Sequence, residues 1–182
     1  MKPFSIRMPR LGTENAFAII NRAKKFEKEE LEPQGKKLIY LQIGEPAFDT
    51  PENIKQAGIK AIQDNKTHYT APTGLMELRK AVAEATSPRS CTTYEAEDVV
   101  VFPGGKPTMF YMINALIDPG DEVIIPSPAY PIYESVVNYL GGKVVPLELH
   151  EEDDFNFSIE KLAGLVTDKT KLIIVNSPQN PT

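Results

Sequence analysis

The run DVVVFPGGKPTMFYMINALIDPGDEVIIPSPAYPIYESVVNYLGGKVVPLEL, residues 98–149, alternates short apolar stretches with longer amphipathic ones. Val99–Phe102, Glu122–Pro126 and Lys143–Leu149 read as strands, and Pro107–Ile117 and Tyr130–Leu140 between them as helices. Asp118-Pro119-Gly120-Asp121 and Gly141-Gly142 punctuate the alternation, which continues with a helix over Ile159–Val166 and a strand over Leu172–Asn176. Strands separated by helices of about ten residues are joined by right-handed crossovers, so they lie parallel in one sheet. The pattern predicts an α/β fold with a mainly parallel sheet.

Upstream the pattern is helical and turn-rich. Thr13 reads as an N-cap for a helix that sets Ala16, Ile19, Ile20, Ala23 and Phe26 on one side and ends before Gly35. Leu38–Ile43 reads as a short strand closed by Gly44-Glu45-Pro46. Thr50-Pro51-Glu52 supplies a cap, a proline in the first turn and an acid, ahead of a helix with Ile54, Ala57, Ala61 and Ile62 on one face. After the turn-rich His68–Gly74, a further amphipathic segment uses Leu75, Leu78, Val82 and Ala85.

Composition narrows the function classes. The chain has 182 residues, 20 of them Lys or Arg and 25 Asp or Glu, for a net charge of −5. That balance speaks against an indiscriminate nucleic-acid binder. With 41% hydrophobic residues the chain can bury a core. Runs such as Ala16–Ile20 fall far short of the roughly 20 residues a membrane-crossing helix requires. The start, Met-Lys-Pro-Phe, lacks the apolar segment of a secretory signal, so a cytoplasmic location is expected. The single cysteine, Cys91, cannot form an internal disulfide and reads as a buried, inert thiol. His68 and His150 lie too far apart for metal-ligand spacing, and no metal site is expected. The acidic stretch Glu151–Asp154 reads as a solvated loop. The chain stops at Asn180-Pro181-Thr182 directly after a strand-like run, which is the expectation for the front part of a longer protein.

In an open α/β sheet, ligands bind beyond the carboxyl ends of the strands, so the residues that follow each apolar run are the site candidates. Pro103-Gly104-Gly105-Lys106 precedes a helix, and small residues at a positive helix terminus suit a phosphate; a tight turn would use the same glycines. The spacing is neither that of a Walker A loop nor of a dinucleotide fingerprint. Pro126-Ser127-Pro128-Ala129-Tyr130 puts an aromatic at the mouth of the sheet, where Tyr130 can stack on a planar ligand or serve the core with Tyr133. Asn176-Ser177-Pro178-Gln179-Asn180-Pro181-Thr182 holds amides at a strand end, as ligand donors or as turn formers. At Gly44 a missing side chain lets a carboxylate approach the backbone, or simply makes a turn. Ser127 lacks the flanking glycines of a nucleophile elbow, and Asp153 and Asp154 are adjacent, unlike the separated carboxylates of a glycosidase.

In order along the chain, Gly44-Glu45-Pro46 through Thr50-Pro51, His68 through Gly74, Gly104-Gly105-Lys106, Pro126 through Tyr133 and Asn176 through Thr182 resemble the class I/II, fold-type-I pyridoxal-phosphate-dependent aminotransferases. The resemblance implies a three-layer α/β/α large domain, incomplete in this chain, over residues 46–182, preceded by an amino-terminal arm and small-domain segment over 1–45. It implies that Gly44 lies beside the substrate α-carboxylate and that the Tyr69 hydroxyl reaches the cofactor phosphate of a neighbouring subunit in a homodimer. It also implies that Gly104, Gly105 and Lys106 cradle the phosphate of pyridoxal 5'-phosphate, that Tyr130 stacks on its ring and that Asn180 bonds its phenolic oxygen. Lys106 is not the Schiff-base lysine. In the family that lysine, the aspartate on the pyridinium nitrogen and the arginine on the α-carboxylate all follow the Asn-Pro-Thr motif, so no catalytic residue is expected in this chain. The parent is expected to exchange amino groups between an amino acid and a 2-oxo acid. The alternatives are a lyase on the same scaffold and a non-catalytic truncated fragment, and the 182 residues alone are expected to be inactive and to fold poorly.

Overall fold

The computed structural model describes residues 4–12 and 15–182, with side chains from residue 19 onward in the second stretch. The chain forms two compact units, Met1–Leu38 with Gly104–Thr182, and Ile39–Pro103.

The first unit contains a sheet of three parallel strands, β1 (Glu122–Ser127), β2 (Lys143–Glu148) and β3 (Thr170–Ile173), in the order β2-β1-β3. The β1 stretch Val123-Ile124-Ile125 is apolar throughout because it is the central strand and is buried on both faces. Val123 and Ile125 pack against Ile113 and Ile117 from helix α4 (Gly105–Leu116) and its C-cap, and against Tyr133, Val136, Val137 and Leu140 of α5 (Ile132–Leu140). Ile124, on the opposite face, is fully buried as well. α5 therefore buries an i, i+3, i+4, i+7 stripe, as its spacing predicts.

The amino end of the sheet is pinned by charge. Glu122 is buried, and its carboxylate accepts from Lys143 Nζ at 2.9 Å and from Thr167 Oγ1 at 2.7 Å. These two hydrogen bonds hold its pKa below the ordinary carboxylate value. One carboxylate thus ties β1 to β2 and to the turn entering β3. A short helix, α6 (Ile159–Ala163), is capped by Ser158, whose Oγ accepts from Lys161 N at 3.1 Å, and Lys161 Nζ donates to Glu148 O at the end of β2.

Helix α1 (Asn15–Phe26) continues through a wider π-type turn, Glu27–Leu31, and a 3-10 turn to Gly35 at φ 68°. It ends where the sequence predicts; the Thr13 cap and the Ala16 side chain lie outside the described residues. The second unit carries α2 (Glu52–Gln63) and α3 (Met76–Thr86).

Several sequence expectations are corrected. Leu38–Ile43 and Val99–Phe102 are not strands. A strand requires a partner ladder, and their polar groups are used otherwise: Leu38 N–H donates to Glu27 Oε1, Val101 N–H to Thr73 O, and Val99 O accepts from Arg79 Nε. The N-cap of α2 is Pro51, whose ψ of 143° is extended, so Thr50 lies outside the helix. Neither α2 nor α3 buries its expected stripe: Ile54, Ile62, Leu75, Leu78 and Val82 are exposed, and α3 instead buries Arg79 and Ala83. α4 starts at Gly105 and not at Pro107, because proline is tolerated anywhere in a first turn. α5 starts at Ile132 and not at Tyr130, because the proline that follows Tyr130 disfavours helical geometry there. α6 ends at Ala163, short of Val166, at Gly164. β3 runs from Thr170 rather than Leu172, and its ladder closes with Ile174 N–H donating to Ile124 O, before Asn176. Cys91 is exposed in a bend and not buried.

Candidate functional site

The start of α4 and the carboxyl ends of β1 and β3 carry the site candidates of the first unit. Gly104 stands at φ 104°, ψ 162°, a region closed to residues with a Cβ, and this turn aims the chain into α4. A helix leaves its first N–H donors without an acceptor in the preceding turn, so its start carries partial positive charge. A Cβ on Gly105 would meet nothing within 4 Å, so the space in front of that terminus is open. Thr108 Oγ1 donates to Gly104 O at 3.0 Å and braces the bend from inside the first turn.

Tyr130 follows β1 by three residues and is half-buried, its ring 5.9 Å from that of Tyr133 and perpendicular to it. Tyr133 is the core partner; burial, with Tyr130 adding to it, raises its pKa. Lys106 Nζ lies 6.0 Å from the Tyr130 ring centroid, which joins the glycine turn to the aromatic wall. Lys106 and Tyr130 line a cleft of about 310 Å³ together with Gly12, Glu134, Ser135 and Asn138. Tyr130 also lines a second hollow of about 290 Å³ with Ser127, Ala129 and Pro146.

The loop after β3 reaches the same region. Gln179 Nε2 donates to Pro128 O at 2.8 Å and ties it to the loop after β1. With its amide oriented to satisfy both neighbours, Asn176 donates to Pro178 O at 3.2 Å and accepts from Asn180 N–H at 3.1 Å. The Ser127-Pro128, Ser177-Pro178 and Asn180-Pro181 bonds are cis. Asn180 is exposed on this braced loop. The structure thus brings Lys106, in the first turn of α4, to Tyr130, and the Asn180 loop to the residues before Tyr130. Gly44 and Tyr69 belong to the second unit, where both are exposed.

Sequence reasoning missed Gln179, Thr108 and Ser135. A polar residue between two prolines, and a threonine four positions after a glycine at a helix start, were the available signals for the first two.

Residues 36–182 match the model of the family described as aminotransferase class I and II. The chain belongs to this family. Its members depend on pyridoxal phosphate. The chain is 42% identical over 153 residues to an aspartate/prephenate aminotransferase of Thermus thermophilus, spanning 84% of this chain and 40% of that protein. It is 39% identical over 153 residues to a (5-formylfuran-3-yl)methyl phosphate transaminase of Methanocaldococcus jannaschii, with 84% and 39% covered. A solved structure of the Thermus thermophilus aspartate aminotransferase with maleate superposes with a TM-score of 0.88 at 37% identity, over 100% of this chain and 46% of that one. The chain therefore spans less than half the length of these relatives.

The donors present suit the family's cofactor. A phosphate belongs at a glycine-opened helix start. A pyridine ring suits a half-buried aromatic wall, and the cleft volume lies at the lower end of the roughly 300–1,000 Å³ usual for small-molecule sites. Among the described residues, no group of three or more His, Cys, Asp or Glu is placed to hold a metal ion, and no helix is long and apolar enough to cross a membrane.

Proposed function

We propose that this chain is the amino-terminal portion of an aminotransferase that moves an amino group between an amino acid and a 2-oxo acid with pyridoxal phosphate, in a cytoplasmic homodimer. The observation that carries this reading is the glycine-opened start of α4 beside Tyr130, in a chain of this family. The N–H groups of Gly105 and Lys106 hold the phosphate, with Gly104 setting the turn. Tyr130 walls the ring, and Asn180 donates to its phenolic oxygen. Gly44 receives the substrate α-carboxylate, and Tyr69 serves the neighbouring subunit's phosphate. When bound, the cofactor supplies an electron sink for the carbanion at the substrate α-carbon. These 182 residues orient and bind; the covalent tether and the proton shuttle belong to the remainder of the protein. The division into an arm over 1–45 and a large domain from 46 belongs to the same reading.

The test is a single turnover. Full-length protein loaded with cofactor and mixed with excess amino acids one at a time should convert at least one to its 2-oxo acid, seen by absorbance and product chromatography. No conversion with any common amino acid would contradict the reading, and release of ammonia in place of transfer would assign the scaffold to a lyase.

A further inference from the structure

Residues 7–12 fold back onto α5 from more than a hundred positions away in sequence. The Arg7 guanidinium carbon lies 5.5 Å from the centroid of the Tyr139 ring. Ser135 Oγ donates to Gly12 O at 3.1 Å. Between them the 3-10 turn Met8–Arg10 carries Arg10 over Gly141, where a Cβ would stand 2.8 Å from Arg10 Nη1. Ser135 and Tyr139 are four residues apart and share one side of the helix, so the segment runs along α5 from its first turn to its C-cap. Gly12 is in close approach: a Cβ there would lie 3.2 Å from Ser135 Oγ and 3.4 Å from Ser135 Cβ.

α5, like α2, α3 and α4, starts without a side-chain cap. Its N-cap, Pro131, makes no side-chain capping bond, and its opening is held by Tyr133 N–H to Tyr130 O at 3.2 Å and Ser135 N–H to Pro131 O at 3.1 Å. An uncapped helix start frays unless something outside it removes that freedom. Pro131 alone separates that first turn from Tyr130. The cleft shared by Gly12, Lys106 and Tyr130 has the amino-terminal segment as one of its sides.

We propose that Arg7–Gly12 is a clamp on α5 that fixes the first turn of the helix and, through it, the orientation of Tyr130, making Arg7, Gly12 and Ser135 positioning residues for the ring wall. What Tyr130 positions rests on the function proposed above; the clamp itself does not.

The experiment uses the full-length protein with Cys91→Ser, the one cysteine of these 182 residues, and with any further native cysteine likewise replaced by Ser. Disulfides form at Cβ separations of about 3.5–4.5 Å, and the Gly12→Cys, Ser135→Cys pair, at 3.4 Å, sits just below that range, within reach of a small backbone shift. Mild oxidation should close it within one protomer, shown by peptide mapping. Failure to close in a normally folded double variant, or closure only between protomers, would overturn the clamp. Separately, Arg7→Ala should raise amide hydrogen exchange over residues 132–137 about threefold or more, and weaken cofactor binding about three- to tenfold, with Arg7→Lys recovering most of both. Unchanged exchange would overturn the clamp. Raised exchange with unchanged cofactor affinity would overturn the positioning of Tyr130. Raised exchange in Arg7→Ala, with no cofactor binding even by the unsubstituted protein, would leave the clamp standing and remove the functional reading.

Discussion

Gly104 concentrates the conformational demand of the turn into α4. Its φ of 104° is a region L side chains rarely adopt, so Gly104→Ala must strain the backbone or move the start of α4. A cost of about 1–3 kcal/mol is expected, read as a lower unfolding midpoint of the full-length protein together with weaker cofactor binding. On the proposed reading Asn180 acts through a hydrogen bond and not through shape, so Asn180→Ala should shift the absorbance maximum of the bound cofactor with little change in stability, and an unchanged spectrum would remove the assignment. The turn at Gly104 and the nearness of Lys106 to Tyr130 were legible because each segment closely follows an apolar run. Gln179 was not, because its role is a hydrogen bond to Pro128 O, 51 residues away, and no local pattern encodes a distant carbonyl. Cys91 misled for a similar reason: thiols are usually buried, but this one sits in a bend with little around it.

The parallel sheet owes its stability to β1. Ile124 is fully buried at the central strand, and Ile124→Ala should cost about 2–5 kcal/mol, measured by denaturant unfolding of the full-length protein. At the other end of the same strand, Glu122 makes stability depend on pH. Its folded-state pKa lies below the unfolded value, so the folded chain binds this proton more weakly and the contribution is complete above the unfolded carboxylate pKa. It is lost as pH falls through the folded-state value. Glu122→Gln should therefore flatten the acid side of the stability profile; identical acid slopes in the two proteins would rule the contribution out. The strands β1 and β2 and the helices α4 and α5 were legible because their periodicity survives burial on one or two faces. Val99–Phe102 was not, since being a strand is a relation to a partner. Its apolar run instead places its backbone groups on Thr73 and Arg79.

Helix α2 leaves bare Ile54 and Ile62, which its spacing marks as part of one apolar face. Amphipathic patterning reports that a face is made for burial, not which surface buries it, and so the α2 and α3 stripes were correctly seen and wrongly placed. Produced alone, the chain should bind an apolar dye strongly, associate in a concentration-dependent way and show no transaminase activity; a monodisperse, dye-silent monomer would contradict this. The most direct measurement is a crystal structure of the full-length protein grown with pyridoxal phosphate. Density for the ring is expected against Tyr130, with the phosphate at the amino end of α4 around Gly104, Gly105 and Lys106. A ligand seated elsewhere, or no ligand at saturating cofactor, would contradict the site.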